Sequence, residues 1–473
     1  IANCLVGSEM CIRDSGGRTS EVSYMVDGVP MSDLYDGGIG VQIENDNIQE
    51  LQVISGTFNA EYGRALTGVV NMVTKDGGNQ FEGSLHTYAG DYQSSDKIYN
   101  NLNNLDLEDD YSVSASLSGP ILKDKVTFYS SGRVNQSKGW LNGLQTFTIY
   151  GDTIFKDQNN NRYLDGNEEQ KDPYYKGLNW HSSWSTQNKV TFNLLKGTTF
   201  KINTILNSRE SQDYNFALQL LEDAQITNFN RGRFLGLSIS HTLSPTSFLQ
   251  VNVSENKYNY ESYLFEDPLD NRYITPDSLF LARLENRIPD HIIEQYGDQV
   301  QYFPAYSLYR AGIDNRRFER ETKTNNYKLD FTSQINKYNQ VKLGLDFSFH
   351  SLMLDTYSLL DSTLTDQVYT PIIPDKESFT RSYYVRKPTE FAIYAQDKIE
   401  YGDMIINLGL RYESFNPNAK IPNNIHEPYI KDPRNPALDT LSIEELENIN
   451  WGDISYTEID SNGNEVSYTY ADY

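Results

Sequence analysis

The chain has 473 residues and a formal net charge of −25, because 65 Asp and Glu outnumber 40 Lys and Arg. This acidity disfavours a nucleic-acid partner, whose phosphate backbone would be repelled. The chain has 35 Tyr, a mean hydropathy of −0.60 and no run near the ~18 apolar residues of a transmembrane helix. Such a composition is typical of a transmembrane β-barrel, in which alternate residues face lipid, and also of a β-rich secreted protein.

Residues 1–15, IANCLVGSEMCIRDS, have no basic start and no long apolar segment, so they do not form a signal peptide. The string CLVGSEMCIRDS resembles the translation of a sequencing adapter, and we predict that residues 1–15 are foreign to the protein. Cys4 and Cys11 both lie in this segment, so no disulfide or redox function is inferred from them.

Glycines punctuate the next part of the chain, up to a polar junction at 74–78. Asp27 and Gly28 predict a turn between two apolar strands, and Gly63 and Gly68 suit close approaches of the backbone. Glu61 and Arg64 are three residues apart and either pair with each other, face a surrounding barrel wall or lie solvated at the surface.

After the junction the hydrophobic pattern has a period of two. In 111–118, Tyr, Val, Ala and Leu alternate with four serines, and 341–350 alternate in the same way. The pattern predicts strands with one apolar face, in a membrane barrel or in a half-buried soluble sheet. Eleven strands are predicted, at 81–92, 110–119, 124–137, 184–196, 198–210, 231–243, 246–262, 321–336, 340–355, 389–401 and 404–415.

The joins between these strands alternate between short and long. Short joins are expected at 119–123, 196–197, 244–245, 336–339 and 401–403, and long joins at 93–109, 138–183, 211–230, 263–320, 356–388 and beyond 416. Outer-membrane barrels have short turns on one side and long loops on the other, whereas a soluble sandwich has no reason to keep this parity. We therefore predict a mainly β fold that contains a transmembrane barrel.

Several motifs resemble one protein family. The stretch 59–84, NAEYGRALTGVVNMVTKDGGNQFEGS, is similar to the junction between plug domain and first barrel strand in TonB-dependent outer-membrane receptors. The segments 24–30 and 47–53 resemble plug strands of that family, and 119–128 and 395–399 resemble its hairpins. Thr67 departs from the pattern, since the family more often has two small residues there. Within this family, the sequence is most similar to the large-barrel, Oar-like or SusC-like receptors. The residues that carry the plug motif are Asp27, Gly28, Glu61, Tyr62, Gly63, Arg64 and Gly68.

The resemblance implies a domain organisation. Residues 16–76 would be the C-terminal part of a plug, and 77–473 would be the N-terminal half of a barrel of about 22 strands with long extracellular loops. We therefore expect a fragment that is truncated at both ends, with the export signal and the TonB-contacting segment N-terminal to it. The family also implies the outer membrane of a Gram-negative-type bacterium, with outer-membrane lipid around the barrel.

The resemblance also implies a function. The protein would bind a scarce solute, such as an oligosaccharide, a peptide or a metal chelate, and import it with energy from a TonB-type complex. The alternative is an outer-surface adhesion protein that uses its loops without transport. A secreted calcium-dependent glycan enzyme would need clustered carboxylates at strand ends, and the sequence does not show them. No nucleophile elbow, phosphate loop or Cys-x-x-Cys motif is present, and the six His are scattered, so we predict no catalytic site. No cofactor is required.

One loop has the ligand spacing of a calcium site. Oxygen-bearing groups occupy positions 1, 3, 5, 7, 9 and 12 of a twelve-residue segment, with Arg162 at position 6, where the sharp turn normally has Gly. The loop either binds a structural calcium ion or is a hydrated acidic segment. The candidate ligands are Asp157, Asn159, Asn161, the carbonyl of Tyr163, Asp165 and Glu168.

The long loop 263–320 mixes aromatic and guanidinium side chains, and its residues 278–286 could form a short helix. Such a mixture suits sugar or peptide ligands, and equally suits packing between loops or an aromatic girdle at the membrane surface. The side chains concerned are Tyr302, Phe303, Tyr306, Tyr309, Arg310, Arg316, Arg317 and Arg320.

Strand alternation also predicts which way side chains face. Lys342, Asp346 and Arg411 lie on the polar phase and should face the plug or water, while Leu343 and Leu410 should face lipid.

Overall fold

The structure is a computed structural model. It describes residues 21–55, 59–63, 67–96, 98–103, 105–149, 154–156, 162–164, 174–273, 275–276, 308–309, 312–361, 368–369, 371–419, 455–459 and 465–469. Nowhere in these ranges does a helix reach the length and apolar character needed to cross a membrane.

A small four-stranded sheet forms first. Its strands are β1 (Val22–Val26), β2 (Val29–Pro30), β3 (Ile48–Ser55) and β4 (Gly68–Thr74), in the order β2-β1-β4-β3, and β1 and β4 are parallel. The turn between β1 and β2 consists of Asp27 and Gly28, whose φ angles are 49° and 80°, a backbone form that Gly adopts freely and Asp tolerates. The predicted Asp-Gly turn is confirmed. We call the described residues of 21–77 the inner unit.

A large antiparallel sheet, called the wall below, follows the inner unit. Its neighbouring strands in chain order are β5 (Glu82–Gly90), β6 (Asp110–Leu122), β7 (Val126–Ser137), β12 (His181–Leu195), β13 (Thr198–Ser211), β14 (Thr227–Ser244), β15 (Ser247–Tyr263), β17 (Arg316–Gln334), β18 (Asn339–Ser358), β23 (Thr389–Tyr401) and β24 (Met404–Asn416). These are the eleven predicted strands. Each pairs with its neighbours in sequence, as in an up-and-down barrel.

The joins keep the predicted parity. Short joins at 123–125, 196–197, 245–246, 335–338 and 402–403 lie at one end of the wall, and long joins at 91–109, 138–180, 212–226, 264–315 and 359–380 lie at the other. We call these the short-join end and the long-join end. The long joins contain short strands of their own, namely β8 (Asn142–Gln145), β9 (Ile154–Lys156), β10 (Arg162–Leu164), β11 (Tyr174–Gly177), β16 (Thr275–Pro276), β19 (Leu360–Asp361), β20 (Val368–Tyr369) and β21 (Pro371–Ile372). Short 3₁₀ turns cover Asn45–Asn47, Phe216–Leu218 and Asn271–Tyr273.

The structure differs from the sequence-based prediction at several strand ends and contains one additional strand. β6 continues past Gly119 through Pro120 to Leu122, and the register shift beside Pro120 is where a sheet accommodates a residue without an N–H. β17 begins at Arg316 instead of 321. A strand inside a predicted loop, β22 (Arg381–Arg386), also pairs with β18.

β22 and β23 act as one strand that a proline interrupts. Leu352 pairs with Arg386 and Phe349 pairs with Thr389, so the register across the gap does not shift. Pro388 cannot donate to the ladder, but its carbonyl still accepts from the N–H of His350 at 3.0 Å. The break reflects a missing donor, and the wall path retains eleven strands.

Burial decides between a membrane barrel and a soluble sheet. The face of the wall that covers the inner unit, here the inner face, buries polar side chains, while the opposite outer face exposes large apolar ones. Buried inner-face residues include Ser112, Ser131, Gln187, Lys189, Asn203, Asn252, Ser254, Asn256, Asn326, Lys328 and Ser348. Exposed outer-face residues include Leu85, Val113, Leu117, Trp184, Ile202, Leu235, Tyr327, Leu343, Phe347, Ile393 and Leu410. A soluble sheet would have the opposite arrangement, because water favours polar surface and a core favours apolar surface.

The outer face changes character toward the long-join end. There it carries ion pairs between neighbouring strands: Lys323 lies 2.6 Å from Glu255, Lys257 lies 2.6 Å from Glu321, and Arg233 also pairs with Glu255. The apolar band therefore covers the part of the strands nearer the short-join end. The outer face thus consists of an apolar band and a charged band.

The chain divides into two compact units, residues 1–418 and 419–473. In the second unit, β25 (Ser455–Ile459) pairs with β26 (Glu465–Thr469). The predicted boundaries at 15 and 76 stay predictions, and residues 1–15 lie outside the described residues.

The outer-face assignment predicts the effect of a charge in the apolar band. Leu343 on β18 is 45% exposed, so Leu343→Arg should cost about 2 kcal/mol or more and reduce assembly in the outer membrane. Ser351→Arg is the control, because Ser351 lies on the same face but pairs with Lys323 at the charged level. The measurement is the amount of folded protein in outer-membrane fractions, from the different migration of boiled and unboiled gel samples. Equal loss in both variants would contradict the assignment.

The junction between inner unit and wall predicts a second effect. A Cβ atom at Gly77 would lie 2.2 Å from the carbonyl oxygen of Phe128, whereas the nearest atom to a Cβ at Gly78 is 4.0 Å away. Gly77→Ala must therefore shift backbone, at a cost of about 1–3 kcal/mol, and Gly78→Ala should be tolerated. Thermal unfolding of the two purified variants tests this, and similar midpoints would show that the junction has room for a side chain.

Candidate functional site

The inner unit contacts the inner face of the wall mainly through its carboxylates, which meet cations of the wall. The largest cluster surrounds Lys189 of β12. Its ammonium lies 3.2 Å from an Asp27 oxygen and 3.1 Å from an Asp76 oxygen, and it donates hydrogen bonds to the hydroxyl and carbonyl of Thr74 at 2.8 and 3.1 Å. The Lys189 side chain is only 4% exposed. One buried cation thus joins the β1–β2 turn to the end of β4.

The carboxylate of Asp27 is the acceptor that organises this cluster. The turn places it beside the end of β4, where it accepts from the N–H and the hydroxyl of Thr74 at 2.9 and 2.8 Å. The amide of Asn203 on β13 donates to it at 3.0 Å. Every contact joins segments that are far apart in sequence, so this turn is specific to one docked position of the inner unit.

Asp76 extends the cluster to β13, because Lys201 lies 2.6 Å from its second oxygen. Burial raises the pKa of Asp76, but the ammonium groups of Lys189 and Lys201 outweigh burial and hold the pKa below its ordinary value of 3.8. A carboxylate with a lowered pKa stabilises the fold above its unfolded pKa, and this contribution is lost as the pH falls through the folded pKa. The Asp76 contacts are therefore intact at neutral pH.

A second contact holds the inner unit to β7 and β12. Glu44 accepts from the guanidinium of Arg133 at 3.0 Å and from the hydroxyl of Ser185 at 3.0 Å. The hydroxyl of Tyr129 donates to the side-chain oxygen of Asn47 at 3.0 Å. Glu44 precedes the 3₁₀ turn Asn45–Asn47 and Asn47 ends it, so this turn presents both acceptors to the wall.

A third contact involves the motif segment 59–63. Glu61 forms an ion pair with Lys342 of β18. Burial raises the pKa of Glu61, but Lys342 outweighs burial and the net pKa is below the ordinary value. Gly409 of β24 lets the backbone come close, since a Cβ there would lie 2.7 Å from the Cβ of Ala60. Glu61 thus faces the wall, one of the three arrangements that the sequence left open, and the inward prediction for Lys342 is confirmed.

A fourth contact lies near the long-join end. The guanidinium of Arg320 on β17 lies 2.9 Å from Asp36 and 3.2 Å from Asp33, and its side chain is 9% exposed. Aromatic rings surround it, with centroids 4.5 Å away at Tyr35, 5.2 Å at Tyr258 and 5.8 Å at Tyr260.

In the Arg320 contact, the charged form of Asp33 is destabilised by burial. Burial raises the pKa of Asp33, although the backbone N–H of Tyr35 and the charge of Arg320 act in the opposite direction. The raised pKa means that the folded state holds the Asp33 carboxylate less favourably than water would. Asp33 differs in this respect from Asp76 and Glu61, whose pKa values are lowered.

A cavity of 760 Å³ opens at the long-join end of β14, β15, β17, β18 and β22. Its floor is a single row of register partners across five strands. Asn228, Ser262, Phe318, Thr356 and Ser382 pair in succession, and all five line the cavity.

The next row toward the short-join end contains Asn230, Tyr260, Arg320, Leu354 and Tyr384. Two residues along a strand span about 7 Å. A solute on the cavity floor would therefore lie one row above the Arg320 contact with the inner unit.

The long joins around the cavity have a hydrophobic core of their own. It consists of Ile149, Leu221, Ala224, Phe265, Tyr273 and Leu359, which come from four different joins. Arg317 ties this core to the wall, because it donates to the carbonyls of Phe265 and Glu266 at 2.5 and 2.6 Å. The joins form a packed layer that gives the cavity firm sides.

The arginines predicted for loop 263–320 bind protein groups where the structure describes them. Arg316 pairs with Asp314 at 2.7 Å, Arg317 binds backbone carbonyls, and Arg320 lies in β17 and binds the inner unit. Tyr309 is described too, and its N–H donates to the carbonyl of Ala217 at 2.8 Å. These contacts match the alternative of packing between loops. Tyr302, Phe303, Tyr306, Arg310 and the predicted helix at 278–286 lie outside the described residues.

The other motif residues fall at or near the inner unit's contacts. A Cβ at Gly63 would lie 2.3 Å from Glu413 and 2.5 Å from Arg411, and Tyr62 precedes it in the segment that contacts the wall. Gly68 begins β4 and pairs with Val22 on one side and Ser55 on the other. Arg64 lies outside the described residues.

The calcium site stays a prediction. Tyr163 lies in β10 and pairs with Phe155 of β9, while the other candidate ligands, Asp157, Asn159, Asn161, Asp165 and Glu168, lie outside the described residues. Within the described ranges no group of three or more His, Cys, Asp or Glu could hold a metal.

Sequence reasoning missed Lys189, Asn203 and Arg133 as contact residues. Each lies on the polar face of a predicted strand. A search for charged or amide side chains in the middle of such a face would have found them. Their partners in the inner unit could not have been found in this way, because they lie more than 85 residues away in sequence.

Comparison with known proteins agrees with this architecture. No protein-family model matches the chain. A stretch of 125 residues is 31% identical to the TonB-dependent transporter Oar of Myxococcus xanthus, and it covers 24% of this chain and 12% of that protein. The outer membrane transporter YddB from Escherichia coli superimposes with a TM-score of 0.51 at 12% identity, over 84% of this chain and 49% of that one. The FpvAI–pyocin S2 complex gives a TM-score of 0.50 at 13% identity, over 83% and 46%. The structures share the fold, and the chain spans about half their length.

The Lys189 cluster predicts a large difference between two lysines. Lys189→Met removes the one buried cation of the cluster, so Asp27 loses its ion-pair partner, Asp76 keeps only Lys201 and Thr74 loses a donor, which should cost about 3 kcal/mol. Lys201→Met removes a pair in which both side chains are 35% exposed and should cost less than about 1 kcal/mol. Limited proteolysis of the inner unit in the purified protein measures the difference, and equal cleavage rates would contradict the assigned role of Lys189.

Proposed function

Because this chain belongs to the TonB-dependent outer-membrane receptors, we propose that it binds a scarce solute at the long-join end and imports it with energy from a TonB-type complex. The protein resides in the outer membrane of a Gram-negative bacterium, with the long joins outside the cell. The inner unit is the plug, and the wall is barrel. The solute is an oligosaccharide, a peptide or a metal chelate.

The observation that carries the proposal is the polar contact between plug and wall. Ion pairs and hydrogen bonds to Asp27, Glu44, Glu61 and Asp76 hold the plug, and apolar contact with the wall is confined to Ile205 and Phe234 in the described core cluster. Water can replace polar partners as such contacts open, whereas an apolar interface would lose its stabilisation outright. The interface therefore suits a plug that moves and returns.

The geometry also suggests how a bound solute is sensed. The cavity floor lies one register row above Arg320, which holds Asp33 and Asp36 of the plug. A solute that displaces Phe318 would disturb Tyr260, because the two rings pack edge to face with centroids 5.5 Å apart. Tyr260 in turn packs on Arg320. Since Asp33 is already held unfavourably, this contact would be the first to yield.

In the proposed cycle, the solute binds on the cavity floor and weakens the Arg320 contact. A periplasmic TonB-type partner then pulls on the plug, and the clusters at Lys189, Arg133 and Lys342 open in turn. The solute passes between plug and wall, and the pairs re-form. The process is transport, and no covalent bond is made or broken.

Energy dependence tests the proposal against surface adhesion. Cells that express the receptor should accumulate its solute, and collapse of the proton gradient should abolish accumulation while binding at the surface persists. Arg320→Met should lower uptake at least tenfold with surface binding retained, and Lys323→Met on the outer face of the same strand serves as control. Uptake that is unaffected by loss of the gradient, or surface binding with no uptake, would favour the adhesion protein.

A further inference from the structure

A groove in the outer face of the wall lies within the apolar band. Its volume of about 500 Å³ falls in the range of about 300–1,000 Å³ that is usual for ligand pockets. Two neighbouring rows of register partners on β17, β18, β23 and β24 line the groove. The row nearer the short-join end consists of Phe331, Leu343, Ala395 and Leu410, and the other row runs from Leu329 to Tyr412.

Ala395 creates the deepest part of this groove. It is the small side chain of its row, and Leu343 and Leu410 beside it are both exposed on the outer face. The missing bulk leaves a slot between the two leucines. Methylene groups that fill the slot would contact apolar surface on both sides, so it suits an unbranched hydrocarbon chain.

A carboxylate lies at the short-join end of the groove. Asp397 follows Ala395 on the same face of β23, and its neighbours across the sheet are Val341 and Leu408. Along the strand, the next side chain on this face is Ile399. All four neighbours are apolar, so none of them supplies a cation or a hydrogen-bond donor. Within the part of the chain that the structure describes, Oδ1 of Asp397 has no hydrogen-bond partner.

A carboxylate in this position needs a cation from outside the chain. Charges on the lipid face of a barrel are destabilising, and ionised groups at membrane depth are normally paired. Asp397 is half-buried, so the outer face gives access to part of its side chain. The two carboxylate oxygens share the negative charge. A cation on the accessible side therefore compensates the whole group, although Oδ1 itself is enclosed.

Aromatic rings mark the level of the lipid headgroups at the short-join end. The ring centres of Tyr338 and Tyr401 lie 5.5 Å apart, and the ammonium of Lys337 lies 4.6 Å from the ring centre of Tyr338. Tyrosines and snorkelling cations are typical of membrane–water interfaces. Asp397 lies four residues from Tyr401, which is about 13 Å along the strand and less in depth, because barrel strands are tilted. It therefore lies between the headgroup level and the groove.

We propose that this part of the outer face binds one phospholipid with a primary ammonium headgroup, phosphatidylethanolamine, from the leaflet at the short-join end. An acyl chain occupies the groove at Ala395, and the ammonium donates charge-assisted hydrogen bonds to Asp397. Phosphatidylcholine has a cation without an N–H, and phosphatidylglycerol has a net negative charge, so neither replaces the ammonium. The site is separate from the solute and rests only on the position of the wall in the outer membrane.

The test is lipid binding to the full-length receptor, extracted from outer membranes and freed of lipid by detergent exchange. Native mass spectrometry measures the affinities of dioleoyl-phosphatidylethanolamine, dioleoyl-phosphatidylcholine and dioleoyl-phosphatidylglycerol. We expect phosphatidylethanolamine to bind about tenfold more tightly than the other two. Asp397→Asn keeps the size of the side chain and removes its charge, so it should abolish this preference. Glu400→Gln is the matched control, because Glu400 lies nearby on β23 and already pairs with Lys398 at 2.6 Å.

A second pair of variants tests the groove. Ala395→Phe fills the slot with a ring and should weaken binding of phosphatidylethanolamine about tenfold. Ile202→Phe is its control, because it places a ring on the outer face of β13, away from the groove. Different migration of boiled and unboiled gel samples shows that each variant is folded.

Four results would overturn the inference: binding of no lipid, equal affinity for the three lipids, an unchanged preference in Asp397→Asn, or equal effects of Ala395→Phe and Ile202→Phe. Binding of no lipid would point instead to a cationic segment of another membrane protein as the occupant. Lipid binding in detergent needs no energy source, so a failure of the transport test would leave this inference intact.

Discussion

The rest of the structure depends on the buried ammonium of Lys189. It holds Asp27, Asp76 and Thr74 of the inner unit against β12, and with them the point where the chain leaves the inner unit and enters the wall. A buried ion pair adds little net stability relative to apolar packing, but removal of one partner is costly. Such a contact specifies one docked position without making it irreversible. In the proposed transport cycle the inner unit holds one position and later moves, and specificity without great stability suits such a unit.

The reversed burial of the wall follows from the two solvents that it faces. The lipid proposed around the wall would accept Leu343 and Leu410 on the outside, and the inner unit offers polar groups that satisfy Lys342 and Asn203 on the inside. Each face would be unstable in the environment of the other, so the inner and outer faces of a strand cannot be exchanged. This constraint fixes the register of every strand, because a slip by one residue would place charges in lipid and leucines against the polar plug.

At the long-join end, a cavity with well-packed sides lies next to the contact between Arg320 and Asp33. The joins share a hydrophobic core around Leu221 and Phe265, so the cavity sides are packed. One row below, Arg320 holds Asp33, whose pKa is raised by burial despite that cation. The firm part is where a solute would bind, and the costly carboxylate is where the plug would first let go. In the proposed cycle, solute recognition and release of the inner unit are thus separated by about 7 Å of strand.

The sequence by itself determined the eleven wall strands, the parity of their joins, the Asp27-Gly28 turn and the facing of Lys342 and Leu343. These features are local, because they follow from a period of two and from turn chemistry. The sequence misjudged the end of β6 at Pro120 and missed β22 before Pro388, since a proline locally predicts the end of a strand even where pairing continues beyond it. Only the tertiary structure decided the partners of Lys189, Glu61 and Arg320, the row that forms the cavity floor and the burial of Asp33. These depend on how segments up to 284 residues apart dock, and no local pattern encodes the position of a distant partner.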